Sequence, residues 1–258
     1  MKIGIFGATG RIGRLLITEI AHSQNHSLSS VFVRKELDFL LPKNTENTLV
    51  TNDLESFIRH CDVVIDFSLP NATSSLLNTA LKNPVPIVSG TTGLDEKTLD
   101  LLKELSNAVP VLYATNMSKG VAILNKILPI LAQGLKEADI EICEIHHRHK
   151  KDAPSGTALS LGETCAKARN LDLGNVRVSG RDGNIGERKP DEIAIMSLRG
   201  GDVAGRHTVG FYLDGEYLEL THNATSRLTF AKGALRAAEW LIKQEKGFYG
   251  IEDIFSKS

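Results

Sequence analysis

Met1-Lys2-Ile3-Gly4-Ile5-Phe6-Gly7-Ala8-Thr9-Gly10-Arg11-Ile12-Gly13 opens the chain, and its reading decides the fold. Met1 to Phe6 is an apolar run of strand length, and glycines follow at the spacing of a dinucleotide-binding turn. Gly7 permits the tight turn, Gly10 lets backbone approach a pyrophosphate, and Gly13 lets a helix lie close on the strand. That helix is announced by Ile12, Leu15, Leu16, Ile17 and Ile20, an apolar stripe of roughly helical period. Strand before and helix after is the context the glycine motif requires. The helix amino end then offers N–H groups and its dipole to the phosphates. Contacts to the dinucleotide are expected from Gly7, Ala8, Thr9, Gly10, Arg11 and Ile12.

Working outward, strand and helix patterns alternate through the first half of the chain. Leu28–Val33 reads as a strand, and Pro42–Asn47 as a polar surface loop. Asp53 reads as the N-cap of a short helix. Asp62–Ser68 is a largely apolar run fit for a parallel strand buried on both faces. A helix from Pro70, a strand Pro86–Ser89, a helix Asp95–Asn107 and a strand Val109–Ala114 follow. Such βα repetition predicts an α/β, doubly wound parallel sheet of Rossmann type, with ligands at the carboxyl ends of its strands.

Past Ser118 the rhythm changes. A helix Val121–Lys136, a strand Asp139–Ile145, a helix Ser155–Arg169 and a polar, glycine-rich stretch Gly174–Pro190 precede three strand-like runs, Ile193–Leu198, Thr208–Leu213 and Tyr217–Thr221. The Asp214-Gly215 turn points to antiparallel pairing, hence a smaller α+β domain. The last helix, Phe230–Lys243, is expected to return to the first domain, with Trp240 as a core anchor. The division expected is residues 1–117 with 228–258 for the dinucleotide, and 118–227 as the second domain, to which the resemblance described below assigns substrate binding and oligomerisation.

Composition sets bounds on function. The 258 residues are 41% hydrophobic and 24% charged with net charge −1, which describes a globular protein and argues against bulk electrostatic binding to nucleic acid or membrane. No run reaches membrane-span length and no signal peptide is apparent. Cys61, Cys143 and Cys165 are scattered and read as small buried thiols of a reducing, cytoplasmic compartment.

The second informative stretch is His146-His147-Arg148-His149-Lys150-Lys151, leading into Asp152-Ala153-Pro154-Ser155-Gly156-Thr157-Ala158. A basic run alone reads as a solvated loop. Beside a nucleotide-binding turn it reads as an anchor for a substrate with several carboxylates, carrying groups that move protons near neutral pH. Gly156-Thr157 at a helix start offers N–H groups to a carboxylate. His146 and Lys150 stand four apart, which a strand or helix would show on one side.

Glu141-Ile142-Cys143-Glu144-Ile145-His146, then Lys150 through Ala158, resembles the signature of the dihydrodipicolinate reductase family. The resemblance extends to Asp66-Phe67-Ser68, Gly90-Thr91-Thr92-Gly93, Ala114-Thr115-Asn116-Met117-Ser118, Gly186-Glu187-Arg188 and Arg227-x-Thr229-Phe230-Ala231. It implies NAD(P)H-dependent reduction of 4-hydroxy-tetrahydrodipicolinate in diaminopimelate and lysine biosynthesis. It further implies His146 as proton donor or acceptor and Lys150 as proton donor. His147, Gly156 and Thr157 would bind substrate carboxylates, while Gly90, Thr91, Thr92 and Ala114, Thr115, Asn116, Met117 would border the nicotinamide. It also implies a smaller domain with a mixed sheet, through which a homotetramer assembles.

One departure bears on the cofactor. Family members often carry an acid then Arg about 20 residues past the glycine turn, where NAD sites bind ribose hydroxyls. Here Val33 precedes Arg34 and Lys35, so Arg34 is expected to meet a 2′-phosphate and NADPH is the expected cofactor. Glu36 is a stand-in acid that leaves NADH use open.

Other readings fit parts of the chain. The opening also resembles short-chain reductases and non-catalytic NADP-sensing regulators. The former need Tyr-x-x-x-Lys, whereas Met117, Glu216, Thr221 and Asp253 follow Tyr113, Tyr212, Tyr217 and Tyr249. Zinc on His146, His147, His149 and Glu144 is disfavoured by the adjacent cations, and no metal is expected.

Overall fold

A computed structural model describes residues 1–255. The chain divides into two compact units: Met1–Lys119 with Arg227–Ser258, and Gly120–Ser226.

The first unit starts as βα repeats: β1 (Lys2–Phe6), α1 (Arg11–Ala21), β2 (Ser27–Phe32), β3 (Leu49–Thr51), α2 (Leu54–Arg59), β4 (Val63–Asp66), α3 (Pro70–Ala80), β5 (Ile87–Ser89), α4 (Glu96–Leu105) and β6 (Pro110–Tyr113). The helix starts follow local chemistry. Asp53 accepts from the Ser56 amide and Asp95 from that of Thr98, while Pro70 supplies the first residue of α3. β4 and β5 are buried along their full length, as strands covered on both faces must be. The short β3 follows the Pro42–Asn47 loop and was not legible as a strand, because only Leu49 and Val50 are apolar there.

The second unit runs α5 (Lys119–Gly134, whose first residue falls in the other unit), β7 (Asp139–His146), α6 (Gly156–Ala168), α7 (Leu173–Val176), β8 (Arg177–Val178), β9 (Ile193–Arg199), β10 (Gly205–Leu213) and β11 (Glu216–Ala224). Its sheet order is β11-β10-β7-β9-β8. β10 pairs antiparallel with β11 and β7, but β9 lies parallel to β7 and β8. The expected antiparallel set therefore holds for two of the three runs, and the sheet is mixed. Ile140, Ile142, Ile193, Ile195, Val209 and Phe211 form one core with Leu124 and Leu128 of α5 and Leu161 and Cys165 of α6. Arg169 closes the far end of α5 by donating to the Ala132, Leu135 and Ala138 carbonyls. The polar Gly174–Pro190 stretch is pinned to β7. Arg181 meets Glu141 at 2.8 and 2.9 Å, and Arg188 meets Asp139 at 2.7 Å and Glu141 at 3.1 Å.

The chain then completes the first unit with α8 (Leu228–Leu241), β12 (Gly247–Tyr249) and a 3₁₀ turn, Ile251–Phe255. α8 packs on α1 and on β4, β5 and β6. β12 joins β6 in parallel, giving the order β12-β6-β5-β4-β1-β2-β3, the doubly wound arrangement with one added edge strand. Trp240 is half-buried at that edge, its ring 5.2 Å from Tyr249, rather than a core anchor. Cys165 is buried, but Cys143 is exposed, because it falls on the face of β7 away from the helices. Among the described residues no helix is long and apolar enough to cross a membrane.

Candidate active site

In the first unit, Gly7 leaves β1 at φ +89°, and a Cβ there would stand 2.3 Å from the Phe67 carbonyl oxygen. Gly10 donates its amide to the Gly7 carbonyl at 3.0 Å and caps α1 without a side chain. A Cβ on Gly13 would stand 2.3 Å from the Gly7 oxygen, so α1 sits as close on the turn as the glycine spacing requires. Ala8 is buried, Thr9 and Arg11 are exposed, and Ile12 is half-buried. This cradle fits a dinucleotide pyrophosphate. Burial and the charge of Arg11 both press the Arg227 guanidinium below its ordinary range, a repulsion a bound anion would relieve.

Arg34 is exposed just past β2. Four residues further along the chain, Asp38 belongs to a latch that the sequence does not show: Arg14 donates to the Thr9 carbonyl, pairs with Asp38 at 2.6 Å and stacks 4.5 Å over the Phe39 ring. The turns after β4 and β5 are also joined. The Asp66 carboxyl, fully buried, accepts from the Ser68 amide and from the Thr73, Ser89 and Thr91 hydroxyls at 2.7–3.1 Å. Burial pushes this carboxyl up despite those donors. Gly90 abuts the Phe67 ring, Thr91 is buried and Thr92 exposed. After β6, Ala114 and Met117 are buried and Thr115 exposed, while Asn116 accepts from the Ser118 amide at 2.8 Å.

In the second unit, the basic run starts on β7 and leaves it at once. His146 is the last residue of the strand and is buried. His147 and Arg148 donate their amides to Val203 and Gly201, and the Lys150 amide returns to the His147 carbonyl at 3.0 Å. His146 and Lys150 are thus joined by a turn, not by a strand or helix that would set them on one face. The Lys150 ammonium pairs with Asp152 at 2.9 Å. Burial would raise the Asp152 carboxyl, but Lys150 holds it below the usual range.

The His146 ring is held from behind. Its Nδ1 lies 2.6 Å from Oε2 of Glu144, two residues earlier on the same face and fully buried. Arg199, across from His146 on β9, grips both Glu144 oxygens at 2.8 Å and also donates to the Asp152 carbonyl at 2.6 Å. Burial would raise the Glu144 carboxyl. The bonds from His146 and Arg199 outweigh it and hold the group well below the carboxylate range. His207, across from Glu144 on β10, lies edge-on to His146 at 5.1 Å and meets the Ser155 hydroxyl at 3.0 Å. Burial, aided by the charges of His146 and Lys150, pushes His207 down to about 3, so this ring is neutral near pH 7.

Ser155 caps α6, accepting the Ala158 amide on its hydroxyl, and Gly156 and Thr157 form the first turn. Its own amide donates to Glu144 Oε1 at 3.0 Å. Gly156 and Thr157 stand at a helix start, as the sequence predicts, whereas the contacts of Arg199 and His207 belong to no motif that the sequence shows. Among the described residues no cluster of His, Cys, Asp and Glu could hold a metal ion. Glu144, the one carboxylate weighed for zinc, is engaged by Arg199.

Comparison with known proteins agrees with both halves. The family model "Dihydrodipicolinate reductase, N-terminus" matches residues 1–117, and "Dihydrodipicolinate reductase, C-terminus" matches residues 120–255. The chain is 65% identical over 253 residues to proteins named 4-hydroxy-tetrahydrodipicolinate reductase from Helicobacter hepaticus and Wolinella succinogenes, spanning 98% of each chain. A solved structure, dipicolinate-bound dihydrodipicolinate reductase from Paenisporosarcina sp. TG-14, matches at TM-score 0.78 and 26% identity over 98% of this chain and 99% of that one. The chain belongs to the dihydrodipicolinate reductase family.

Proposed function

We propose that this protein reduces 4-hydroxy-tetrahydrodipicolinate to tetrahydrodipicolinate, in diaminopimelate and lysine biosynthesis, with NADPH as the preferred cofactor. The observation that carries the reading is that His146 and the first turn of α6 hang on one buried carboxylate, Glu144, which accepts from both the ring and the Ser155 amide. A group that handles a proton and a helix end that takes a carboxylate are therefore built as one piece.

The nicotinamide, when bound, supplies the hydride. The glycine turn from Gly7 to Ile12 holds the phosphates, and Arg34 meets the 2′-phosphate. The turns at Gly90–Thr92 and Ala114–Met117 border the nicotinamide. Gly156 and Thr157, with His147, hold the substrate carboxylates. His146 and Lys150 move the proton that balances the hydride. Nothing in the latch of Arg14, Asp38 and Phe39 replaces the acid that NAD sites place after the second strand, since Asp38 is already paired.

Four copies assemble through the second sheet. Its face away from the helices carries Cys143, Ile145, Met196, Leu198 and the stacked Tyr212–Tyr217 pair, with Leu198 52% exposed. These apolar side chains, set among Glu141, Arg206 and Thr208 on the same face, fit a subunit contact.

The test is a coupled assay in which a synthase makes the substrate in situ and NADPH oxidation is followed. Turnover that depends on substrate, inhibited by dipicolinate in competition with it, is expected. His146→Ala and Lys150→Ala should each lose roughly 10²–10⁴-fold in turnover with NADPH affinity retained. Arg34→Ala should lower kcat/KM for NADPH more than for NADH. Wild-type protein that oxidises no NADPH with this substrate would overturn the reading.

A further inference from the structure

We propose that Glu144 is a positioning residue that fixes the proton of the neutral His146 ring on Nδ1, so that Nε2 is the atom that exchanges a proton with the substrate. The inference rests on the reading above that His146 handles that proton. It goes further by assigning the nitrogen and the group that selects it.

The argument is one of hydrogen-bond capacity. Four N–H donors converge on the Glu144 carboxylate: Nδ1 of His146 at 2.6 Å, two Arg199 nitrogens at 2.8 Å each, and the Ser155 amide at 3.0 Å. An ionised carboxylate only accepts. Fully buried and gripped by a guanidinium, Glu144 stays ionised. The atom of His146 facing it must therefore carry a hydrogen, and a ring carbon at 2.6 Å would clash. That leaves Nε2 as the nitrogen without a hydrogen-bond partner among the described residues. It looks over Gly205, where an added Cβ would stand 3.0 Å away. The glycine keeps the approach to Nε2 open. In the direction of reduction, imidazolium gives its Nε2 proton to the substrate atom that gains the electron pair, and keeps the Nδ1 proton on Glu144. The neutral Nδ1–H ring then takes a proton from water.

The same capacity argument says what Glu144→Gln does. One oxygen must now serve Arg199 and Ser155, because turning the amide round would set its NH₂ against two donors instead of one. The NH₂ then faces Nδ1, which has to accept, and the ring proton moves to Nε2. A tautomer inverted in this way is a known route to a large loss of turnover.

The experiment is nitrogen-15 spectroscopy of histidine-labelled protein at a pH where the rings are neutral, with steady-state kinetics alongside. Wild-type His146 is expected to show a protonated Nδ1 and a bare Nε2. Glu144→Gln is expected to invert the pair and to lower kcat by about 10²–10⁴-fold, with KM for the dicarboxylate moved less than about threefold. A wild-type ring protonated on Nε2, or a folded Glu144→Gln protein with full turnover, overturns the proposal. The wild-type spectrum decides even if the variant fails to fold. The two readings also fail separately: an Nε2-protonated ring overturns the role of Glu144 in an active enzyme, whereas inactive protein with an Nδ1-protonated ring overturns the reaction and not the tautomer.

Discussion

At the scale of single residues, the site depends on keeping one histidine neutral beside another. His207 is 2% exposed and burial drives its pKa down to about 3, against an ordinary value of 6.5. Between those values the unfolded chain binds a proton that the folded protein does not. Stability is therefore full above about pH 6.5 and falls as pH drops toward 3, by roughly 1.4 kcal/mol for each pH unit crossed. Glu144 acts in the same direction lower down: its depressed carboxyl stabilises the fold above its ordinary value of 4.5 and loses that contribution as pH falls further. The expected outcome is a Tm that drops between pH 6.5 and 4.5 in the wild type and drops less in His207→Gln. Equal slopes in the two proteins would remove His207 from the account. None of this was visible from residue types alone, but one signal was present. In β7 the buried face runs Ile140, Ile142, Glu144, His146, so two ionisable groups continue an apolar alternation. A carboxylate on the core face of a strand needs a partner, and the alternation alone does not say that Arg199 is the one.

At the scale of elements, legibility followed periodicity. β1, α1, β4 and α8 were readable because each carries an unbroken apolar pattern, and the helix starts were readable because Asp53, Asp95 and Ser155 cap them. β3 and β12 were not, since three residues are too few to show a period and both are specified by pairing with β2 and β6. The parallel setting of β9 was hidden for a related reason: alternation tells a strand from a helix but not its direction. The tightest element contact offers a direct check. In Gly13→Ala the new Cβ meets the Gly7 carbonyl at 2.3 Å, so α1 must move off the turn at a cost of about 1–3 kcal/mol. NADPH titrated calorimetrically should bind at least about tenfold more weakly, since helix and phosphate cradle move together. Gly134→Ala, where nothing lies within 4 Å of the added carbon, serves as control. Unchanged NADPH affinity in Gly13→Ala would show that the turn tolerates displacement.

At the scale of the whole molecule, assembly can be tested on the open face of the second sheet. Leu198→Asp places a charge on that face, and sedimentation should then show a species smaller than the wild type; an unaltered distribution would move the subunit contact elsewhere. The chain path has a consequence of its own. Residues 120–226 are an insertion within the first unit, whose edge strand β12 and covering helix α8 come from after it. Vectorial synthesis on the ribosome therefore delivers the nucleotide-binding half in two instalments. Until the last portion emerges, the β6 edge and the flank of α1 are bare hydrophobic surface, open to wrong partners. The second unit, continuous in sequence, can close first, which makes nascent-chain arrest just past Ser226 the point where chaperone capture should be greatest.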